Sequence, residues 1–270
     1  MKPIKNNCSL CISTYNWPGA LRQCLKSIKS QSVLPGEVII GDDGSSDETK
    51  QLIETTRKDF PVPLIHLWHE DKGFRLATTR NKTFAQAKGD YIIQSDGDVI
   101  FHKDFIRDHL LFAKKNTFIA GTRCLLNNKI STELISDQRI AGVIELLRQS
   151  SKKYNGVRCL PAALLNYSLQ KGIKQTKYVL GANMAFWKED LIKVNGYNEQ
   201  FTGWGKEDND LAARLHIEGV SIRFLKYAAI LFHLYHQQAN RDNFETNDLI
   251  YRQTIIDKIT FSPKGIDQYL

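Results

Sequence analysis

Short apolar runs alternating with helix-like segments constrain this chain more than anything else in it. Cys8–Ser13, Glu37–Gly41, Leu64–Trp68 and Tyr91–Gln94 read as buried strands. Between them, Ala20–Ser30 carries Leu21, Leu25 and Ile28 at helical spacing, Ser46–Lys58 opens on Asp47 and Glu48, and Leu76–Ala87 reads as a third helix. Alternation at this spacing implies βαβ units around a mostly parallel sheet, an α/β class with helices on its faces. Ligands of such sheets bind beyond the carboxyl ends of the strands. Three polar turns fall at those ends: the Thr14 region, Asp42-Asp43-Gly44 and Asp96-Gly97-Asp98. They are expected to meet along one edge.

The pattern loosens from Gly121 to Lys177, where Ser131–Gln149 suggests one helix and Lys171–Lys177 a polar loop. This middle stretch is expected to cover an acceptor. Regular structure resumes at Tyr178–Phe186, followed by a short helix near Lys188–Val194 and a helix over Glu207–Glu218 with acidic residues in its first turn. Ser221–Leu231 reads as one strand, and the tail from Asn243 begins as an amphipathic helix.

With 270 residues, 42% hydrophobic and 24% charged, the chain can bury a full core. No apolar run approaches the roughly 20 residues that span a bilayer, and Met1–Asn7 lacks the apolar stretch of a secretory signal, so a cytoplasmic location is expected. Five cysteines make no disulfide framework, and Cys8 and Cys11, three apart on a strand, point to opposite faces rather than toward a shared metal. The net charge of +8 arises without zinc-finger spacing or a dense Lys/Arg block, which argues against nucleic acid as a partner. It fits either an ordinary solvated surface or peripheral contact with an anionic membrane surface, such as the inner face of a cell membrane.

The chemistry concentrates in a few strings. Asp96-Gly97-Asp98 places two carboxylates where a strand ends; they repel unless a cation lies between them, and a divalent metal that handles phosphate is the economical reading. A plain polar turn is the alternative. In Asp42-Asp43-Gly44-Ser45-Ser46, two adjacent acids exceed what capping a helix needs and can accept hydrogen bonds from a nucleobase or ribose. Thr14, Tyr15 and Asn16 can add hydroxyl, aromatic and backbone contacts to the same base. Arg75 and Arg80, in and after a basic loop, suit a diphosphate.

Phe201-Thr-Gly-Trp-Gly-Lys-Glu-Asp208 sets Trp204 between glycines, where an indole face can stack on a sugar. Glu207 and Asp208 follow at a helix start that favours their ionised forms, so a general base for a hydroxyl nucleophile is available there. His233 and His236 follow the last apolar strand and could complete a metal site, whose mixed carboxylate and imidazole donors suit manganese better than calcium.

Together these strings resemble the family 2 inverting glycosyltransferases of the GT-A fold, in family order from about Asn7 to His236. The resemblance implies a single glycosyltransferase domain over residues 1–240, with a nucleotide-sugar half (1–120), an acceptor half (121–240) and a helical tail (241–270). It implies nucleotide-sugar contacts from Thr14, Tyr15, Asn16, Asp42, Asp43, Arg75, Arg80, Asp96 and Gly97. Asp98 resembles the metal ligand of the D-x-D motif, with Asp96 beside it, and His236 the late histidine ligand, with His233 as the other option; the metal is Mn2+ or Mg2+. The segment Gly203–Asp208 is similar to a motif of chondroitin-polymerase-type enzymes and β-1,4-galactosyltransferases. On that likeness Asp208 is the base, Glu207 an acceptor contact, and Trp204 and Gly205 an acceptor platform.

Lys206 stands where galactosyltransferases commonly carry glycine. The processive synthases' Q-x-x-R-W string is missing, so one sugar per encounter is expected. The implied partners are a UDP-sugar, with galacto-configured donors favoured, and a glycan or glycolipid acceptor of bacterial surface polysaccharide or lipopolysaccharide synthesis. A sugar-phosphate nucleotidyltransferase and a non-catalytic carbohydrate-binding protein are the competing readings.

Overall fold

The computed structural model describes residues 7–170, 176–237 and 240–270. The chain begins β1 (Cys8–Thr14), α1 (Pro18–Lys29), β2 (Glu37–Asp42), α2 (Asp47–Arg57), β3 (Leu64–Trp68), α3 (Leu76–Gln86) and β4 (Tyr91–Asp96). It continues through β5 (Val99–Phe101), α4 (Phe105–Phe112), β6 (Thr117–Gly121), β7 (Cys124–Leu126), α5 (Asn128–Ser136), α6 (Val143–Arg148), β8 (Ser150–Ser151) and α7 (Leu160–Leu169). The last part comprises β9 (Met184–Trp187), α8 (Lys188–Lys193), α9 (Glu207–Ile217), β10 (Ser221–Leu225), β11 (Leu231–His233) and α10 (Phe244–Ile256).

A seven-stranded sheet in the order β10-β6-β9-β4-β1-β2-β3 forms the centre. Its pairs are parallel except those made by β9, which runs antiparallel between β4 and β6. Strands β1 and β2 are buried along their whole length, because helices cover both faces, and this is why they read as continuous apolar runs. Leu21, Leu25 and Ile28 of α1 pack with Leu10 and Ile12 on one face; Phe84 of α3 and Leu211 and Leu215 of α9 pack with Ile39 and Ile92 on the other. Cys8 belongs to the first layer and Cys11 to the second, as their spacing predicts. Both are free, and burial pushes their thiols up to about 11 and about 12.

Register aligns the polar strand ends. Thr14 pairs with Asp42 and Ser13 with Asp96, so the turns expected to meet at one edge do so. A second sheet, in the order β5-β11-β7-β8, lies beyond that edge. His233 of β11 pairs with Val99, the residue after Asp98, and the Leu234 amide donates to the Asp98 carbonyl at 2.9 Å. A hairpin-like step after the acidic turn thus meets a strand from the far end of the sequence.

Two expectations are corrected. Ser131–Gln149 is two helices, α5 and α6: Gln138 takes a left-handed conformation at φ 49°, which ends the first, and Gly142 precedes the second. Ser221–Leu231 is two strands in different sheets, because Tyr227 and Ala229 are left-handed at φ 62° and 48° and break the extended run. The loop expected over Lys171–Lys177 falls largely outside the described residues, and its end, Thr176–Tyr178, is a turn of 3-10 helix. No helix among the described residues is long and apolar enough to cross a membrane.

Candidate active site

A cavity of about 640 Å³ opens at the carboxyl ends of β1 and β4. Thr14, Tyr15, Asp43, Arg80, Asp96, Gly97, Asp98, Trp204, Glu207, Asp208, His233 and His236 all line it. Asn16, Asp42, Arg75 and Gly205 do not; they hold the wall from behind.

Asp98 sits between the two histidines. Nε2 of His233 lies 3.4 Å from one of its carboxylate oxygens and Nε2 of His236 lies 3.2 Å from the other. The Nδ1 atoms face the backbone carbonyls of Leu234 and Gln237 at 2.8 and 2.6 Å. A ring nitrogen facing a carbonyl carries the proton, which leaves lone pairs on both Nε2 atoms aimed at a carboxylate. That arrangement calls for a cation between them, and Oδ1 of Asp98 is a buried acceptor with no hydrogen-bond donor among the described residues. The donor atoms of the triad lie within 4.8 Å of one another. Both histidines are therefore offered, and an imidazole-rich set with one carboxylate fits a transition metal such as manganese better than a hard, all-oxygen-loving cation.

Arg80 is the electrostatic hub of the opposite wall. Only 2% of its side chain is exposed, and its guanidinium reaches Asp208 at 2.7 Å, Asp96 at 3.1 Å and Glu207 at 3.8 Å. Burial opposes its charge, yet Asp208, Tyr197, Asp96 and Glu207 hold it protonated more firmly than usual. Sequence reading assigns Arg80 to a diphosphate; in the fold its charge is already committed to these carboxylates. Burial raises the Asp96 carboxyl, with Arg80 pulling against it and Asp98 and Asp208 adding to the rise. Glu207 is pushed up to about 7, first by burial and then by the Asp208 charge, and its other oxygen accepts from the Gly205 amide at 3.1 Å.

Asp208 is placed by three neighbours. Its Oδ1 accepts from Arg80 and from the Tyr197 hydroxyl, both at 2.7 Å. Gly181 gives room for the carboxylate: a Cβ there would lie 2.3 Å from Oδ2. Tyr197 is itself fixed by the residue after Arg80, because the Asn81 amide donates to the Tyr197 carbonyl and accepts from its backbone N–H.

The acid turn divides its work. Asp42 accepts from the Ser45 amide at 2.8 Å and pairs with His66 at 2.9 Å, out of the cavity. Although burial opposes it, those bonds hold its carboxyl below the usual value. Asp43 faces the cavity, anchored by His69, Thr79 and the Arg75 amide. Asn16 braces the turn through Ser45 and Ser46. The Arg75 guanidinium turns back to the Glu70 carbonyl.

Trp204 stands partly exposed, its ring stacked on Phe244 of α10 at 6.0 Å and the Arg241 guanidinium 4.9 Å from its ring centre. Asn247 donates to the Thr202 and Gly205 carbonyls, and Lys206 pairs with Asp248 at 2.9 Å. Lys206, whose departure from glycine stood out in the sequence, thus binds α10 rather than the cavity.

Sequence reading missed Arg123, Arg241, Gly181 and Tyr197. Arg123 follows β6 and lines the cavity; among the described residues its guanidinium makes no hydrogen bond or salt bridge. The small pair Gly181-Ala182 inside an apolar run is a signal of close approach that could have flagged the first wall contact.

Comparisons with known proteins identify the family and the fold. Residues 9–165 match the family described as Glycosyl transferase family 2, and residues 167–237 match the one described as N-terminal domain of galactosyltransferase. Chondroitin synthase from Escherichia coli is 24% identical over 262 residues, covering 90% of this chain and 36% of that protein. The chain thus spans about a third of that relative's length. Among solved structures, S. aureus TarS 1–349 is similar at a TM-score of 0.63 with 15% identity, covering 97% of this chain and 68% of TarS 1–349. The Pyrobaculum calidifontis mannosyltransferase PcManGT, solved with GDP-Man and Mn2+, gives 0.61 and 15%, covering 98% and 68%. These likenesses establish the GT-A fold.

Proposed function

The chain belongs to glycosyl transferase family 2, and from that premise we propose that it moves a hexose or N-acetylhexosamine from a UDP-sugar to a hydroxyl of a glycan, with inversion, in bacterial surface polysaccharide or lipopolysaccharide synthesis. The observation that carries the reading is the pairing of two features across one cavity. On one side lies the Asp98, His233 and His236 cluster, and on the other an anchored carboxylate, Asp208.

Asp43, Thr14 and Tyr15 would receive the nucleoside, with Asp42 and Asn16 shaping the turn that presents them. Asp98, His233 and His236 would hold Mn2+, which when bound supplies positive charge to the diphosphate leaving group. Arg123, whose charge is uncommitted among the described residues, would add a second cation there. The exposed part of Trp204 would meet the acceptor sugar. Asp208 takes the proton of the acceptor hydroxyl as that oxygen attacks the anomeric carbon and the bond to the diphosphate breaks, a single displacement. Arg80, itself bound to Asp96, keeps that carboxylate aimed. The complex of a fold relative with Mn2+ supports the choice of ion, and a TarS structure in complex with UDP-GlcNAc supports a UDP-sugar.

The experiment is a panel of UDP-sugars with manganese, scored for donor hydrolysis and thermal protection, alongside Asp208→Asn. One donor should protect and turn over, Asp98→Ala should lose manganese-dependent protection, and Asp208→Asn should bind UDP yet transfer nothing. Near-normal transfer by Asp208→Asn would remove the base assignment.

A further inference from the structure

Tyr197 is fully buried, and its hydroxyl oxygen lies between two acceptors that one proton cannot serve together. Oδ1 of Asp208 is 2.7 Å away and Oε1 of Gln94 is 2.9 Å away. A phenol has a single O–H. The hydroxyl cannot turn donor and acceptor around toward Asp208, because an ionised carboxylate has no proton to give; its oxygen meanwhile accepts from Arg80 Nη1 at 3.3 Å. Gln94 cannot present its amide N–H instead, because Nε2 donates to the Gly181 carbonyl at 2.7 Å and so turns Oε1 toward the phenol. Nor can the ring move aside: Asn81 clasps the Tyr197 backbone at both its N–H and its C=O, and the ring packs on Phe84. In a protein interior a donor shared by two acceptors leaves one of them short at any moment.

We propose that the Tyr197 hydroxyl is a two-position donor that serves Asp208 while that carboxylate is ionised and swings to Gln94 once Asp208 has taken the acceptor's proton. This deepens the glycosyl-transfer reading and rests on Asp208 being the base. The bookkeeping of the step is closed. The acceptor's proton moves to Oδ2 of Asp208, the acceptor oxygen bonds to the anomeric carbon, and the electron pair of the broken bond leaves with the diphosphate. The Tyr197 proton stays on its own oxygen throughout and only changes partner.

Ionised, Oδ1 attracts the hydroxyl as a charged acceptor; neutral, it is an ordinary carbonyl oxygen no better than Oε1 of Gln94. Gln94 therefore gives the phenol a second acceptor, so that the Tyr197 proton keeps a partner in both protonation states of Asp208. Tyr197 and Gln94 are positioning residues, since neither reaches the reacting atoms. The other charged groups facing Asp208 are Arg80 from α3, Asp96 at the end of β4 and Glu207 beside it on α9. All three remain in the variants below.

The test uses the full chain with manganese and its best UDP-sugar, comparing Tyr197→Phe, Gln94→Met and Asp208→Asn. Tyr197→Phe removes the donor to the ionised base, so the acidic limb of kcat/KM should move up by about one pH unit, with UDP affinity unchanged. Gln94→Met leaves the hydroxyl only one acceptor, so kcat should fall by about tenfold while the acidic limb stays in place. Gln94→Met also serves if Tyr197→Phe fails to fold. An unmoved acidic limb in a folded Tyr197→Phe, or unchanged kcat in Gln94→Met, overturns the two-position donor while leaving Asp208 as base. Transfer by Asp208→Asn would instead overturn the reading beneath it.

Discussion

Gly181 and Asp208 approach so closely that the carboxylate occupies the space a side chain at position 181 would need. A Cβ there would lie 2.3 Å from Oδ2, 2.5 Å from Oδ1 and 2.6 Å from Nη2 of Arg80. Gly181→Ala must therefore push the carboxylate or the guanidinium aside. A displacement of about 1 Å in a catalytic group can cost on the order of a hundredfold in rate, and overpacking costs about 1–3 kcal/mol of stability. Transfer should fall by about a hundredfold with UDP binding retained, as read by single-turnover kinetics and calorimetric titration with UDP. A variant with native kcat would show that the site tolerates a shifted Asp208.

Arg123 should matter through the donor. Sequence reading gives the diphosphate to Arg75 and Arg80, but the first turns to a backbone carbonyl and the second holds three carboxylates. One charge-assisted bond lost to phosphate, at about 1.5–3 kcal/mol, corresponds to roughly a tenfold or greater rise in donor KM for Arg123→Ala. Arg123→Lys should recover part of it, because a lysine binds phosphate as a point charge. Equal donor KM values across the three proteins would place the diphosphate elsewhere.

Glu207 makes stability depend on pH. Its carboxyl stands at about 7 in the folded chain against an ordinary 4.5. Between those values the native state binds more protons than the unfolded chain, so stability falls as pH rises from 4.5 to 7 and this contribution is flat above that. The full loss is roughly 3 kcal/mol. Glu207→Gln should remain neutral throughout and flatten that decline, which denaturant midpoints measured from pH 5 to 8 will display. Parallel curves for the two proteins would contradict the raised carboxyl.

The portions of the fold legible in sequence were those where local pattern and burial agree. β1 to β4 and α1 to α3 appear nearly as read, helped by the burial of β1, β2 and β4 along almost their whole length and by the apolar stripe of α1. The small sheet was illegible: β5, β7, β8 and β11 are two or three residues long, too short for a period to register. In the site, Asp43, Asp96, Asp98, Glu207, Asp208 and both histidines reach one cavity because their motifs terminate strands or begin a helix. What the sequence could not reveal is which partners consume a charge. Arg80 and Arg123 look alike in a string of letters, and only the fold shows that one is surrounded by carboxylates and the other is not. Asp42 and Asp43 are neighbours that point to different tasks for the same reason.

Helix α10 grips the Trp204 loop through Phe244, Asn247 and Asp248, and grips the root of α9 through Thr254 and Asp210 at 2.6 Å. None of these contacts touches Asp43, Asp98 or the histidines. On the glycosyl-transfer reading proposed above, substitutions in α10 would act on the Trp204 loop without touching the residues assigned to the nucleotide and the metal. On that same proposed reading, diversification of acceptor choice has an address in a helix that begins some 40 residues downstream of Trp204.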